Sequence, residues 1–212
     1  HSLFNHFNFA QTIDGKNYLK SILSNPLKSV EDIRDIQILI LELQKCKDQF
    51  PSKITNGTIM VMEKFFETQV DDFPSKPNEF NAWVYKIISA SDYALTKYSI
   101  EHFVYFVKGM HEIVELFNQS NSKLLKGWVE QIESLLDYHP LKEMNKIYEP
   151  KNVNIMGNIH FANYIKKNFK QNCFKLIEIY SKLDAYLGLA IACSKYNYQL
   201  PVFIKSDEPH LK

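Results

Sequence analysis

Hydrophobic residues along most of this chain recur at three- and four-residue steps, the spacing that lines one face of an α-helix. Tyr18, Leu19, Ile22 and Leu23 make the first such face. Asp14 and Gly15 open that helix and Asn25-Pro26 closes it, because the residue before proline is pushed out of the helical region. Ser29 is placed to cap a second helix, with Glu31 and Asp32 in its first turn, where the helix dipole favours acids. Ile33, Ile36, Ile40 and Leu43 carry it towards Phe50-Pro51. A third helix is predicted over 54–67, with Ile59, Met60, Met62 and Phe66 as apolar positions. A loop is predicted over 70–78, where Asp71-Asp72, Pro74 and Pro77 fall.

Helical spacing resumes over 79–88, breaks near 89–92, and then runs over 93–118 through Tyr93, Thr96, Ile100, Phe103, Val107, Met110, Val114 and Phe117. A shorter helix over 122–138 carries Leu125, Trp128, Val129, Ile132 and Leu136, and His139-Pro140 ends it. An irregular connector follows, with one helical turn over 141–147. The clearest seam is the last, through Ala162, Ile165, Phe169, Leu176, Tyr180, Leu183, Leu187 and Ala190, with Cys173 filling its one gap. A helix over 158–198 would be about 60 Å long at 1.5 Å per residue. Globular helices average about 11–12 residues, so a long lever or an antiparallel hairpin is expected. Leu200, Val202, Phe203 and Ile204 around Pro201 suggest a short edge strand. Nothing repeats at a fixed period, which disfavours a solenoid. The predicted fold class is all-α, a single multi-helix domain with long antiparallel, lever-like helices.

Composition narrows the function classes. Six glycines in 212 residues, against an average usage of about 7%, argue against Gly-rich phosphate loops. The net charge of +1 gives no global pull towards nucleic acid or membrane. Arg34 is the only arginine, so neither bidentate guanine readout nor an arginine finger is concentrated here. Cys46, Cys173 and Cys193 are far apart and form no C-x-x-C pair; they read as free thiols in a reducing, cytoplasmic setting. No apolar run approaches about 18 residues, so no membrane span is expected. The first residue is His1, which suggests a piece of a longer or processed protein.

Candidate chemistry is sparse. His111-Glu112 opens a near match to the helical zinc-protease motif, but Glu115 stands where the second histidine must be. Asp71-Asp72 is not repeated a helical turn later, as diphosphate-gripping aspartates would be. No phosphate-cradling G-x-x-x-x-G-K-[ST] occurs, and no sequence cue marks a nucleophile. One charge pattern carries a hypothesis. Between Glu149 and Glu178 there is no acidic residue, whereas Lys151, Lys166, Lys167, Lys170 and Lys175 are present. Lys166 and Lys170 lie one helical turn apart with Lys167 adjacent, so these three are expected to share an exposed stripe facing duplex phosphates. Lys175 completes the candidate DNA contact. The bland alternative is a solvated helix face.

Two stretches resemble one family. Ser2-Leu3, Phe7-Asn8, Thr12, Gly15-Lys16, Leu19, Ile22-Leu23 and Pro26-Leu27 are similar in wording to the opening of the core domain of the MutS family of DNA mismatch repair proteins. Phe7 replaces a usual leucine and Ile22 a usual tryptophan. At the other end, Leu183-Asp184-Ala185-Tyr186-Leu187 with Ala190, Ala192, Tyr198, Pro201 and Phe203 resembles that family's final lever helix and the strand after it. Glu208 to Lys212 resembles the segment that leads into the family's ATPase domain.

The resemblance implies a core over 1–138 with ascending helices, a short connector over 139–157, a descending lever over 158–199, and a lead over 200–212 into an ATPase domain. Only 139–157 stands where the family inserts its DNA-gripping clamp, so the implied form is clampless. Ile36 stands in place of a usual arginine. This region would have no catalytic residues, cofactor or metal of its own; ATP and Mg would belong to the ATPase domain. Duplex DNA and homodimerisation would be properties of the full-length protein. A helical protein–protein interaction or dimerisation module without nucleic-acid contact is the rival expectation.

Overall fold

The computed structural model describes residues 3–68, 73–74 and 78–203. Asp71-Asp72, most of the loop around it, Ser2, Ile204 and the 208–212 segment lie outside the described residues. The elements follow the hydrophobic spacing closely: α1 (Leu3–Phe7), α2 (Ile13–Ser24), α3 (Val30–Cys46), α4 (Asn56–Glu67), α5 (Glu79–Ile88), α6 (Ala90–Phe117), α7 (Lys123–Leu136), α8 (His139–Asn145), α9 (Ile155–Tyr164) and α10 (Lys170–Tyr196). Short 3₁₀ turns occupy Lys47–Gln49 and Pro150–Asn152, and a single π-helical turn, Ile165–Phe169, joins α9 to α10 without a break.

Side-chain caps explain most of the starts. Thr12, Ser29, Thr55, Asn78, Ser122 and Asn154 each accept the amide two or three residues into their helix, satisfying one of the donors a helix leaves open. Pro140 opens α8 rather than simply ending α7, since its missing N–H costs nothing in a first turn. The expected break before α6 is narrow, centred on Ser89. Asn197, in the left-handed region at φ 53°, ends α10, and the Tyr198 amide returns to the Cys193 carbonyl at 3.0 Å.

Two helices organise the packing. α6 gathers α4, α5, α7, α8 and α9; α10 gathers α1, α2, α3 and α7. α7 belongs to both groups, so one continuous core runs through them. Every residue of the last predicted seam, from Ala162 through Cys173 to Ala190, is buried. Leu183 to Ala190 are buried on all sides, which places this half of α10 at the centre of the molecule.

Two expectations change. No strand forms over 200–203, because an all-helical neighbourhood offers Pro201 and Val202 no sheet edge to pair with. The long helix is also not uniform. The seam steps by four residues twice in succession, from Ile165 to Phe169 and on to Cys173. Each such step carries an ideal α-helix about 40° past its starting direction. The π turn at Ile165–Phe169 takes up that excess, and both flanking stretches keep the seam inward.

Candidate nucleic-acid interface

The π turn decides where the candidate lysines point. Lys166 turns inward to the end of α4, where its Nζ donates to the Phe65 carbonyl and, at 2.7 Å, to the Thr68 carbonyl. The ammonium also lies 4.6 Å from the centre of the Phe65 ring, a cation–π contact. Burial, and then Lys170, hold its pKa below the ordinary lysine value. Lys166 therefore caps α4 and does not belong to an exposed stripe, which corrects the expectation for Lys166, Lys167 and Lys170 together. The carbonyls at the end of α4 are the reason, since they carry the negative end of the helix dipole.

Lys167, Lys170 and Lys175 are exposed. Lys170 and Lys175 stand at opposite edges of the solvent strip on α10, about 140° apart round the helix, with the partly exposed Phe174 between them. Acids interrupt this surface. Lys170 is close enough to Glu67 to help hold that carboxyl below its usual range, after the larger effects of the hydrogen bond and charge of Lys64. The other motifs stay apart. His111 is half-buried and its buried Nε2 meets no hydrogen-bond partner among the described residues; Glu112 and Glu115 face solvent. Among the described residues, no three His, Cys, Asp or Glu side chains gather as a metal site requires, and no helix is long and apolar enough to cross a membrane.

The most built polar site was not signalled as one by sequence. Asp184, buried in the middle of α10, accepts the Thr12 amide at 2.8 Å, the Thr12 hydroxyl at 2.7 Å and the Gln11 amide at 3.0 Å. It thus caps the start of α2 from 172 residues away in the chain. Thr12 in turn accepts the Gly15 amide at 3.0 Å. A Cβ at Gly15 would lie 2.2 Å from the Asp184 carboxylate, and a Cβ at Gly188 would lie 2.8 Å from the Ala10 amide. Both glycines permit the close approach of α10 to the strap before α2. A second acid clasp orients α7. Asp35 accepts the Lys123 amide at 2.7 Å and the Leu124 amide at 2.9 Å, while Glu42, two turns on, takes the Asn121 amide at 2.8 Å.

Aromatic packing holds the same strap against the C-terminal end of α10. His6 stacks on Tyr196 with ring centres 4.2 Å apart and hydrogen-bonds the Tyr198 hydroxyl. Lys195 covers the Phe9 ring at 4.8 Å. Thr12 and Gly15 from the opening stretch thus meet Asp184 from the closing stretch in one buried joint, and Tyr198 meets His6 and Phe7 at the surface. No protein-family model matches the chain, and no curated protein or solved structure matches it.

Proposed function

We propose that this chain is the helical core and lever region of a MutS-like, clampless DNA mismatch repair ATPase, with no catalytic chemistry of its own. One observation carries the reading. The two stretches that resemble that family meet in a single buried joint, in which Thr12 and Gly15 receive Asp184. The continuous helical path from Ile155 to Tyr196 supports a mechanical role as well. Packed helices move as bodies, so a displacement at one end of such a rod shifts contacts at the other. In the full-length protein, ATP turnover in a separate domain would drive that shift, and duplex DNA would respond to it.

The DNA contact reduces to Lys167, Lys170 and Lys175. Each phosphate neutralised by a lysine adds roughly 0.9 to the slope of log affinity against log salt. Anisotropy of a labelled duplex titrated with the chain is expected to give salt-dependent binding. Changing the three lysines to glutamate should lower the slope by about 2–3. Binding without salt dependence, or a slope indifferent to these changes, overturns the DNA reading and leaves an interaction module without nucleic-acid contact.

A further inference from the structure

Three helices meet around an open groove of about 430 Å³, within the range of roughly 300–1,000 Å³ that ligand sites occupy. α2 lines it with Asp14, Tyr18 and Ser21, which recur at helical spacing, and with the neighbouring Asn17. α10 supplies Phe174, Ile177, Glu178 and Ser181, and α4 supplies Glu63. Ile177 and Ser181 are buried and make the floor, where the Ser181 hydroxyl is spent on the Ile177 carbonyl at 2.8 Å. Tyr18, Ile177 and the 40% exposed Phe174 ring therefore form an apolar body. The charged side chains of the groove are all acids: Asp14, Glu63 and Glu178.

The chain answers one of these acids and leaves two. Lys182 pairs with Glu178 at 2.6 Å and lies 5.9 Å from the centre of the Tyr18 ring. A cation held by a carboxylate and an aromatic face is thus already built at one end of the groove. No cation pairs with Asp14 or Glu63 among the described residues, and Lys64 is committed to Glu67 at 2.5 Å. Partial burial, then Asp14 and Glu67, hold the Glu63 carboxyl above its usual range, against the lowering pull of Lys64. Two carboxylates from two helices thus share a partly apolar groove without a counterion, and an entering cation relieves that cost. The walls select which cation. A guanidinium presents five donors in one plane, so it can bridge both carboxylates while its face lies on Phe174. An ammonium is more strongly hydrated and gives up more on entering an apolar groove. Asn17 and Ser21 stand exposed on the α2 rim, one turn apart, where a peptide backbone finds both donors and acceptors.

We propose that this groove binds an arginine side chain presented by a basic segment of another polypeptide. Asp14 and Glu63 are its carboxylate partners and Phe174 its aromatic wall. The groove carries the wrong sign for phosphate, so it does not compete with the lysine surface for DNA. The test is fluorescence anisotropy of a labelled peptide of alternating glycine and arginine, titrated with the 212-residue chain. The same peptide with citrulline or lysine in place of arginine runs beside it. Saturable binding of the arginine peptide is expected, with the citrulline peptide about tenfold weaker or more and the lysine peptide about threefold weaker. Glu63→Gln and Asp14→Asn should each weaken binding about five- to tenfold, and Phe174→Ala about threefold. Glu130→Gln, at an exposed acid on α7, should leave it unchanged. Failure of the arginine peptide to bind, equal binding of the citrulline peptide, or indifference to Glu63→Gln and Asp14→Asn overturns the proposal. So does a loss at Glu130→Gln as large as at Glu63→Gln, which would reduce the effect to general charge attraction. Free spermidine that competes at the same concentration as the peptide assigns the groove to a small polyamine and overturns it too. The amide variants keep the size and shape of the acids, so they remain informative if Phe174→Ala perturbs the fold.

Discussion

Asp184 shows how much one side chain can organise. It is the only acid in the run Leu183 to Ala190, where every residue is buried, and a buried carboxylate must be supplied with donors. The strap before α2 supplies three, two amides and a hydroxyl. Asp184→Ala should therefore cost about 2–4 kcal/mol, because it orphans buried donors as well as removing charge-assisted bonds. Gly15→Ala should cost a similar amount by forcing the carboxylate away. Urea midpoints measured for both variants check this, and a loss under about 0.5 kcal/mol would show the joint to be dispensable. His111 sets a pH dependence of a definite sign. Burial holds its imidazole below the ordinary value, outweighing the opposing pull of Glu115. The unfolded chain then binds the proton first on acidification, so this contribution to stability is complete above about pH 6.5 and declines as the pH falls through that value. The urea midpoint should drop between about pH 7.5 and 5, and His111→Gln should shrink the drop. His102 has the same sign for the same cause. At this scale the cap at Ser29 was legible because the capped helix follows immediately. Asp184 was not, since its partners are distant in sequence; its one signal is a lone acid inside an apolar run.

Helix existence and extent could be read from spacing, and α5 is found where expected, from Glu79 to Ile88. What spacing conceals is which face meets which neighbour. Met60 shares the apolar pattern of α4, yet it is half exposed, while Phe65 is buried. The π turn is a middle case. Its cause, two four-residue steps in succession at Ile165, Phe169 and Cys173, is written in the sequence, but its effect depends on α4 lying alongside. There the turn delivers Lys166 to the Phe65 and Thr68 carbonyls. Lys166→Met should destabilise the protein by about 1–2 kcal/mol and speed hydrogen exchange in the last turn of α4. It should leave the salt dependence of duplex binding unchanged. A fall in that slope would return Lys166 to the DNA surface.

Across the whole molecule, the all-α class and the deep burial of the last seam follow from the hydrophobic pattern, whereas the central position of α10 does not. Periodicity reports that one face of a helix is buried; only the consecutive small and apolar residues Leu187, Gly188, Leu189, Ala190 hint that several faces are. The partition of neighbours between α6 and α10 depends on contacts that no local window contains. The joint at Asp184 has a temporal consequence. α2 and α3 find their largest packing partner in α10, which lies more than a hundred residues further along the chain. Closing a loop of this length is entropically costly, and contacts so far apart in sequence form late on a folding path. α2 and α3 must wait, as an unpartnered amphipathic pair, until α10 has been made. Weakening the joint would then hasten unfolding far more than it slows folding, making Asp184 a lock on the finished structure and not a guide towards it.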